Sequence, residues 1–511
     1  MITNDNRLNT AIIIFLFIIA LLIGIVFAGM KGFFAVAISL FGMILISRPG
    51  LLLLFYWLYV LWIPFLSQIV LFGGRLQFGD ELLALCLLGV LISQLIIRKS
   101  LQPKLDPLLL LILISLFFTA LSAFANTSSK KNILRFLLIY YRFVIVFYYS
   151  VYLVTNRKAK LLFRCIIATF VLQMLLNFGW AIGINPLPNR SIGTADFCLG
   201  TGISANNVAY YMIAFSLIII SYINSPLGPR KQFWFVVWLI PVFVQIYLTY
   251  TVHAYFLLPV IGLFHWVLFT GKKNRILTLA ICSLLVIGLS LCVRHGFGKH
   301  SRLINQTASY DYAKRRFDRM IHGVKGQLYA NVFFHAMKDM RFPLLGAGPG
   351  NFTSPMAMAT ETLLVAKYVP LYYITNSGYI ITTRGSITEY PYTGMTTIWG
   401  ELGPVGFLVY WGLHVYASFH VYLQLKRRQY KTFHQHVLAQ AYVSVMIMYI
   451  GLNTILDFAN HAFLSNGIWI WAGCVWYPLE TRSNKPNNTS EDISQTSLSD
   501  NSEERTLCVF Q

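Results

Sequence analysis

Apolar runs long enough to cross a membrane, separated by short polar connectors, fill the chain from residue 10 to 293 and again from 396 to 478. A helix needs roughly 20 apolar residues to cross a hydrocarbon core of about 30 Å, because every backbone polar group there must be bonded internally. On that ruler about fourteen stretches qualify. They lie at 10–29, 32–48, 51–72, 81–97, 107–126, 135–155, 161–183, 206–224, 232–249, 252–270, 276–293, 396–424, 437–456 and 462–478. The pattern predicts an all-α fold, a polytopic transmembrane bundle of about 12–14 spans. The first stretch is too long for a signal-peptide core and lacks a small-x-small cleavage site, so a retained helix is expected.

One long hydrophilic stretch, Arg294 to Met395, interrupts the spans. The expected division is an N-terminal bundle over 1–293, a large loop over 294–395, a C-terminal group of spans over 396–478 and a tail over 479–511. The tail is rich in Ser, Asn, Asp and Glu and has too little to bury, which predicts disorder. Within the loop, Gly326 to Met340 fits an amphipathic helix ending before Pro343, with Leu328, Val332, His335 and Ala336 on one face. A glycine-rich run follows, Pro343-Leu344-Leu345-Gly346-Ala347-Gly348-Pro349-Gly350-Asn351-Phe352. Gly346, Gly348 and Gly350 are expected to shape a tight turn, since glycine alone takes positive φ without steric cost. Residues Tyr368–Tyr392 mix aromatic and β-branched side chains and suit the membrane interface.

Composition removes the soluble classes. At 57% hydrophobic and 11% charged residues, with a mean hydropathy of +0.63, no soluble globular domain is expected. The net charge of +22 needs no nucleic acid to explain it, because basic connectors are expected on the cytoplasmic side of a membrane protein. Arg98-Lys99 with Lys104, Arg157-Lys158 with Lys160, Arg230-Lys231, Lys272-Lys273 with Arg275, and Lys426-Arg427-Arg428 all fall on one side if the N-terminus is cytoplasmic. That places the large loop outside and both termini inside. Lys130-Lys131 with Arg135 fall on the other side and break the rule. The loop is basic in its own right, with Lys314-Arg315-Arg316, Arg319, Lys325, Lys338, Arg341, Lys367 and Arg384. Two readings fit that charge: contact with anionic membrane lipids, or a site for an anionic substrate such as a lipid diphosphate.

Candidate chemistry is sparse. The seven cysteines are scattered and show no metal-ligand spacing, so no metal is expected. Walker A, H-E-x-x-H, G-x-S-x-G and dinucleotide motifs are absent, and no cofactor is expected. Polar residues instead gather at the outer ends of spans: Asp80-Glu81, Arg190, His253, and Asp457 with Asn460 and His461. Each alone reads first as a helix cap or a hydrated interfacial residue. Together they favour a site. Arg142 lies inside the sixth stretch, where an ionisable residue is functional, paired, or held by neighbours such as Tyr140, Tyr141 and Tyr148.

From about Gly73 onward the chain resembles the O-antigen ligase and Wzy-type polymerase superfamily of multispan glycosyltransferases. The resemblance rests on Gly79-Asp80-Glu81-Leu82, on Arg190-Ser191-Ile192-Gly193-Thr194 ahead of Asn206-Asn207, and on the run Phe342 to Phe352. It continues in Trp399-Gly400-Glu401-Leu402-Gly403-Pro404-Val405-Gly406. It implies a bacterial inner-membrane enzyme with a periplasmic loop, which moves a glycan from polyprenyl diphosphate to a sugar hydroxyl without a metal. A chain-length regulator and a flippase are the protein partners it implies. The chain departs from the ligase pattern: Tyr392 and Thr393 stand where a His and its following amide or hydroxyl residue belong, and Val252-His253 replaces a Ser-Arg pair. The family's requirement for cations at the leaving diphosphate falls on Arg190 first, then Arg341 and Arg384, with His253 as a further substrate contact. With Tyr392 in place of His, the base is expected at Glu389 or His335. A polymerase is the expected activity; a ligase, or a non-catalytic binder or transporter of lipid-linked glycan, is the alternative.

Overall fold

The computed structural model describes residues 48–69, 79–97, 106–153, 156–181, 205–227, 237–249, 252–269, 329–352, 354, 393–454 and 462–477. The stretches at 10–29 and 276–293 lie outside them, as do the stretch at 32–48 up to residue 47 and the tail. The described residues are mostly helical and contain no strand. In chain order the helices are α1 (Pro49–Ile69), α2 (Gly79–Ile97), α3 (Pro107–Ala125), α4 (Lys130–Tyr140), α5 (Arg142–Leu153) and α6 (Asn156–Ala181). There follow α7 (Ala205–Asn224), α8 (Leu239–Leu248), α9 (Val252–Phe269), α10 (Gly394–Lys426), α11 (Phe433–Leu452) and α12 (Ala462–Val475). Between α9 and α10, Asn331–Ala336 is π-helical and Met337–Asp339 completes the turn.

Four described helices are long and apolar enough to cross a membrane, or five if the bent pair α4–α5 is one span. One of them, α3, buries small polar side chains and exposes large apolar ones. On α3 the inward stripe includes Ser115, Thr119 and Ser122, whereas Leu110, Leu113 and Phe117 point outward. Small polar side chains pack well between helices in lipid, and large apolar ones face the chains. Tyr141 closes that stripe by hydrogen bonding Ser115 Oγ (2.6 Å) and Thr119 Oγ1 (2.8 Å). α3 starts where the local sequence dictates: Asp106 accepts from the Leu109 N–H at 2.7 Å and Pro107 takes the first helical position.

α7 is the inner helix, buried along nearly its whole length and packed by α8, α9 and α11. A second group joins α12 to α5, α1 and α11. There Trp469 stacks on Phe143 with centroids 4.6 Å apart, and Phe147 meets the ring of Trp476 edge-on at 5.0 Å. α10 bridges α3 and α11.

The sixth stretch, expected as one span over 135–155, is two helices meeting at 44°. Only Tyr140-Tyr141-Arg142 interrupt the apolar run at the bend, too short a dip for hydropathy averaged over a span to divide it. Long-range contacts pin the two sides separately: Asn132 on α4 donates to the Gly350 carbonyl at 3.0 Å, and Arg142 on α5 pairs with Asp80.

Candidate functional site

Two polar constellations stand out, and the glycine-rich run builds the first. Gly346, Gly348 and Gly350 have φ of 71°, 92° and 74°. The run therefore takes a left-handed backbone conformation at every second residue from Gly346 to Gly350, and a turn closes from the Asn351 N–H to the Gly348 carbonyl (3.1 Å). The start of α10 accepts from the run. The Ala347 N–H donates to the Gly400 carbonyl (2.9 Å) and the Gly348 N–H to the Glu401 carbonyl (3.0 Å). The Glu401 carboxylate, fully buried, accepts from the N–H groups of Gly350 (2.6 Å), Ser354 (2.7 Å) and Phe352 (3.4 Å). Burying a carboxylate is costly unless donors replace its water, and here backbone donors do so on both oxygens.

The α10 carbonyls are free to accept because the helix is broken at Gly403, with φ 71° and ψ 178°. Pro404 follows with no N–H and opens the second part of the helix. Gly403 and Gly346 approach so closely that a Cβ on Gly346 would sit 2.5 Å from the Gly403 nitrogen. Both positions need glycine for conformation and for space.

The end of α3, the connector after it and the start of α4 grip the opposite side of the run. Ser122 Oγ donates to the Leu345 carbonyl, Asn126 Nδ2 to the Gly346 carbonyl (3.0 Å) and Asn132 Nδ2 to the Gly350 carbonyl. Asn351 Nδ2 reaches Ser128 Oγ at 2.8 Å. Tyr329 ties the segment to a third element, donating its hydroxyl to the Thr454 carbonyl and sharing a hydrogen bond with Thr393 Oγ1 (3.0 Å). Burial pushes the Tyr329 phenol up, partly offset by Thr393, which keeps it a donor. Residues 329–352 thus cap the C-terminal ends of α3 and α11 and the N-terminal end of α10.

Arg341 and His335 lie exposed on this cap. The Arg341 guanidinium sits over the Phe342 ring, 5.2 Å from its centroid. His335 leaves the face expected for it: Val332 and Ala336 are buried, but the π-helical turn carries His335 outward. Leu328 lies outside the described residues, as do Arg190, Arg384 and Glu389. His253 falls in the first turn of α9, and its side chain is outside the description.

The second constellation is a buried ion pair between Arg142 Nη1 and Asp80 Oδ2. Arg142 is the first residue of α5, where the helix dipole disfavours a cation, and Asp80 in the first turn of α2 compensates it. The Tyr141 hydroxyl, near Arg142 in sequence, is engaged instead by Ser115 and Thr119. Asn466 on α12 donates to the Tyr56 hydroxyl at 2.7 Å. Among the described residues no group of His, Cys, Asp and Glu could hold a metal ion.

The sequence motif around Glu401 does not by itself give the carboxylate a role, and nothing local marks Ser122, Asn126 or Asn132. The one available signal was a lone acid inside an otherwise uncharged helix start. No family model and no curated protein matches the chain.

Proposed function

We propose that the chain is a glycan polymerase of the bacterial inner membrane, which transfers an oligosaccharide from polyprenyl diphosphate to a hydroxyl of a second lipid-linked sugar. The observation that carries this reading is the joint between the glycine run and the broken start of α10. It ties residues 346–352 by hydrogen bonds to the start of α10, at one end of a set of apolar helices. A substrate with a lipid tail and a polar head needs such a place, where headgroup-level side chains face the ends of spans. The basic end of α10, Lys426-Arg427-Arg428, lies at the opposite end of that helix from the joint, which fits a cytoplasmic face there and a periplasmic cap.

In this reading the acceptor oxygen attacks the anomeric carbon of the donor sugar. Its proton passes to a base, and the bond to the diphosphate oxygen breaks. Cations aimed at the leaving diphosphate supply the stabilisation, roughly 3–4 kcal/mol for a well-placed donor. Arg341 is the exposed described candidate, and Arg190, Arg384 and His253 complete the proposed set. His335 or Glu389 takes the proton. A chain-length regulator and a flippase are the proposed partners. The second reading is a ligase, against which Tyr392 at the family's His position weighs, and the third is a binder or transporter of lipid-linked glycan.

The test is the glycan profile of cells with and without the gene. Collapse of a long ladder to single repeats supports the polymerase. Long chains stranded on the lipid carrier make it a ligase, and an unchanged profile overturns both.

A further inference from the structure

α4 has one buried stripe and one exposed face. Its buried residues, Asn132, Phe136 and Tyr140, lie one turn apart on a single stripe. The opposite face carries Lys130, Lys131 and Arg135, all exposed, with Leu134 between them at 59% exposure. None of the three cations is in an ion pair among the described residues. Just ahead, at the end of α3, Phe124 is 85% exposed. The 44° bend into α5 tilts this basic face away from the line of the following span. Basic side chains mixed with large apolar ones, on a helix turned out of the span direction at a span end, are the pattern of a helix lying in the headgroup layer.

We infer that α4 is an anionic-lipid-binding helix, whose Lys130, Lys131 and Arg135 engage phospholipid phosphates while Leu134 and Phe124 enter the acyl boundary. The inference accounts for the one connector that breaks the positive-side rule: these cations face lipid headgroups and carry no orientation signal. It holds whatever the chain transfers, because it needs only a membrane. It also has a consequence for the cap. The inner face of α4 holds the Gly350 carbonyl through Asn132, so lipid charge acts on the helix that grips the glycine run.

The experiment uses the full-length protein in nanodiscs of mixed phosphatidylglycerol and phosphatidylcholine, with retained lipids counted by native mass spectrometry. Wild type is expected to retain phosphatidylglycerol in excess of its share. The triple change Lys130→Gln, Lys131→Gln, Arg135→Gln should lower that preference about tenfold or more, given the attraction each cation has for an anionic surface. The charge-keeping pair Lys130→Arg, Lys131→Arg should retain it. An unchanged preference in the triple variant overturns the inference, and so does its loss in the charge-keeping pair. A second measurement needs no variant: amide exchange over 129–140 in wild type should be slower in phosphatidylglycerol discs than in phosphatidylcholine discs. Equal rates overturn the inference, and point to an acidic protein or nothing as the occupant.

Discussion

The carboxylate of Glu401 accepts the backbone N–H of Gly350 at 2.6 Å, and through that bond the two motif-like stretches of this chain become one structural unit. A carboxylate held by several backbone donors has few substitutes. Glutamine keeps one acceptor but turns an NH2 group toward N–H donors, and alanine leaves the donors buried and unpaired. Glu401→Ala should lower stability by roughly 3 kcal/mol, and Glu401→Gln by about half of that or more. Thermal unfolding in detergent reads the difference, and an unshifted midpoint in both variants removes Glu401 from the role given to it.

The glycines of α10 should separate sharply. Gly403 is in the left-handed region and a Cβ there would overlap the Leu344 carbonyl, so Gly403→Ala combines strain with a clash against backbone. Gly412 lies in the regular part of the same helix with nothing near its would-be Cβ. Gly412→Ala is expected to be neutral or to stabilise by up to about 1 kcal/mol. Membrane expression and melting of the two variants, side by side, check this. Equal behaviour contradicts the break at Gly403.

Breaking the Arg142–Asp80 pair should cost more than removing it. Arg142→Met alone leaves Asp80 buried and uncompensated, a loss of roughly 3–5 kcal/mol. The double change with Asp80→Leu should recover much of it. A double-mutant cycle on unfolding midpoints gives the coupling. Additive losses would mean that the two charges do not meet.

Arg341 and His335 are exposed on the cap, so their loss should spare the fold and strike activity. Arg341→Ala and His335→Gln are expected to keep the wild-type melting point within about 0.5 kcal/mol of stability. In cells, Arg341→Ala should shorten the glycan ladder and His335→Gln should slow its growth. A wild-type ladder from either, at wild-type protein levels, removes that residue from the proposed machinery.

How far the sequence reaches depends on whether a feature is local. α3 was legible to within a residue, because Asp106-Pro107 is a helix start by itself and the apolar run ends at Asn126. The turn at the glycine run was readable from composition, since three glycines at alternate positions admit φ values that other residues resist. The bend between α4 and α5 was not, because it comes from Asn132 and Arg142 reaching partners far away in sequence. Glu401 was hidden for the same reason. An acid in G-E-L-G reads as a span boundary until the loop that it binds is in place. Ser122, Asn126 and Asn132 look like ordinary caps and connector residues, and only the packing of the loop against α3 gives them work.

The most direct test of the account is conversion by the purified protein. In proteoliposomes loaded only with a polyprenyl-diphosphate-linked oligosaccharide, the polymerase reading predicts lipid-linked products of two and more repeats, with free polyprenyl diphosphate released for each bond made. Unchanged substrate in the presence of folded protein, with the glycan still bound to it, would contradict the enzyme and leave a binder of lipid-linked sugar.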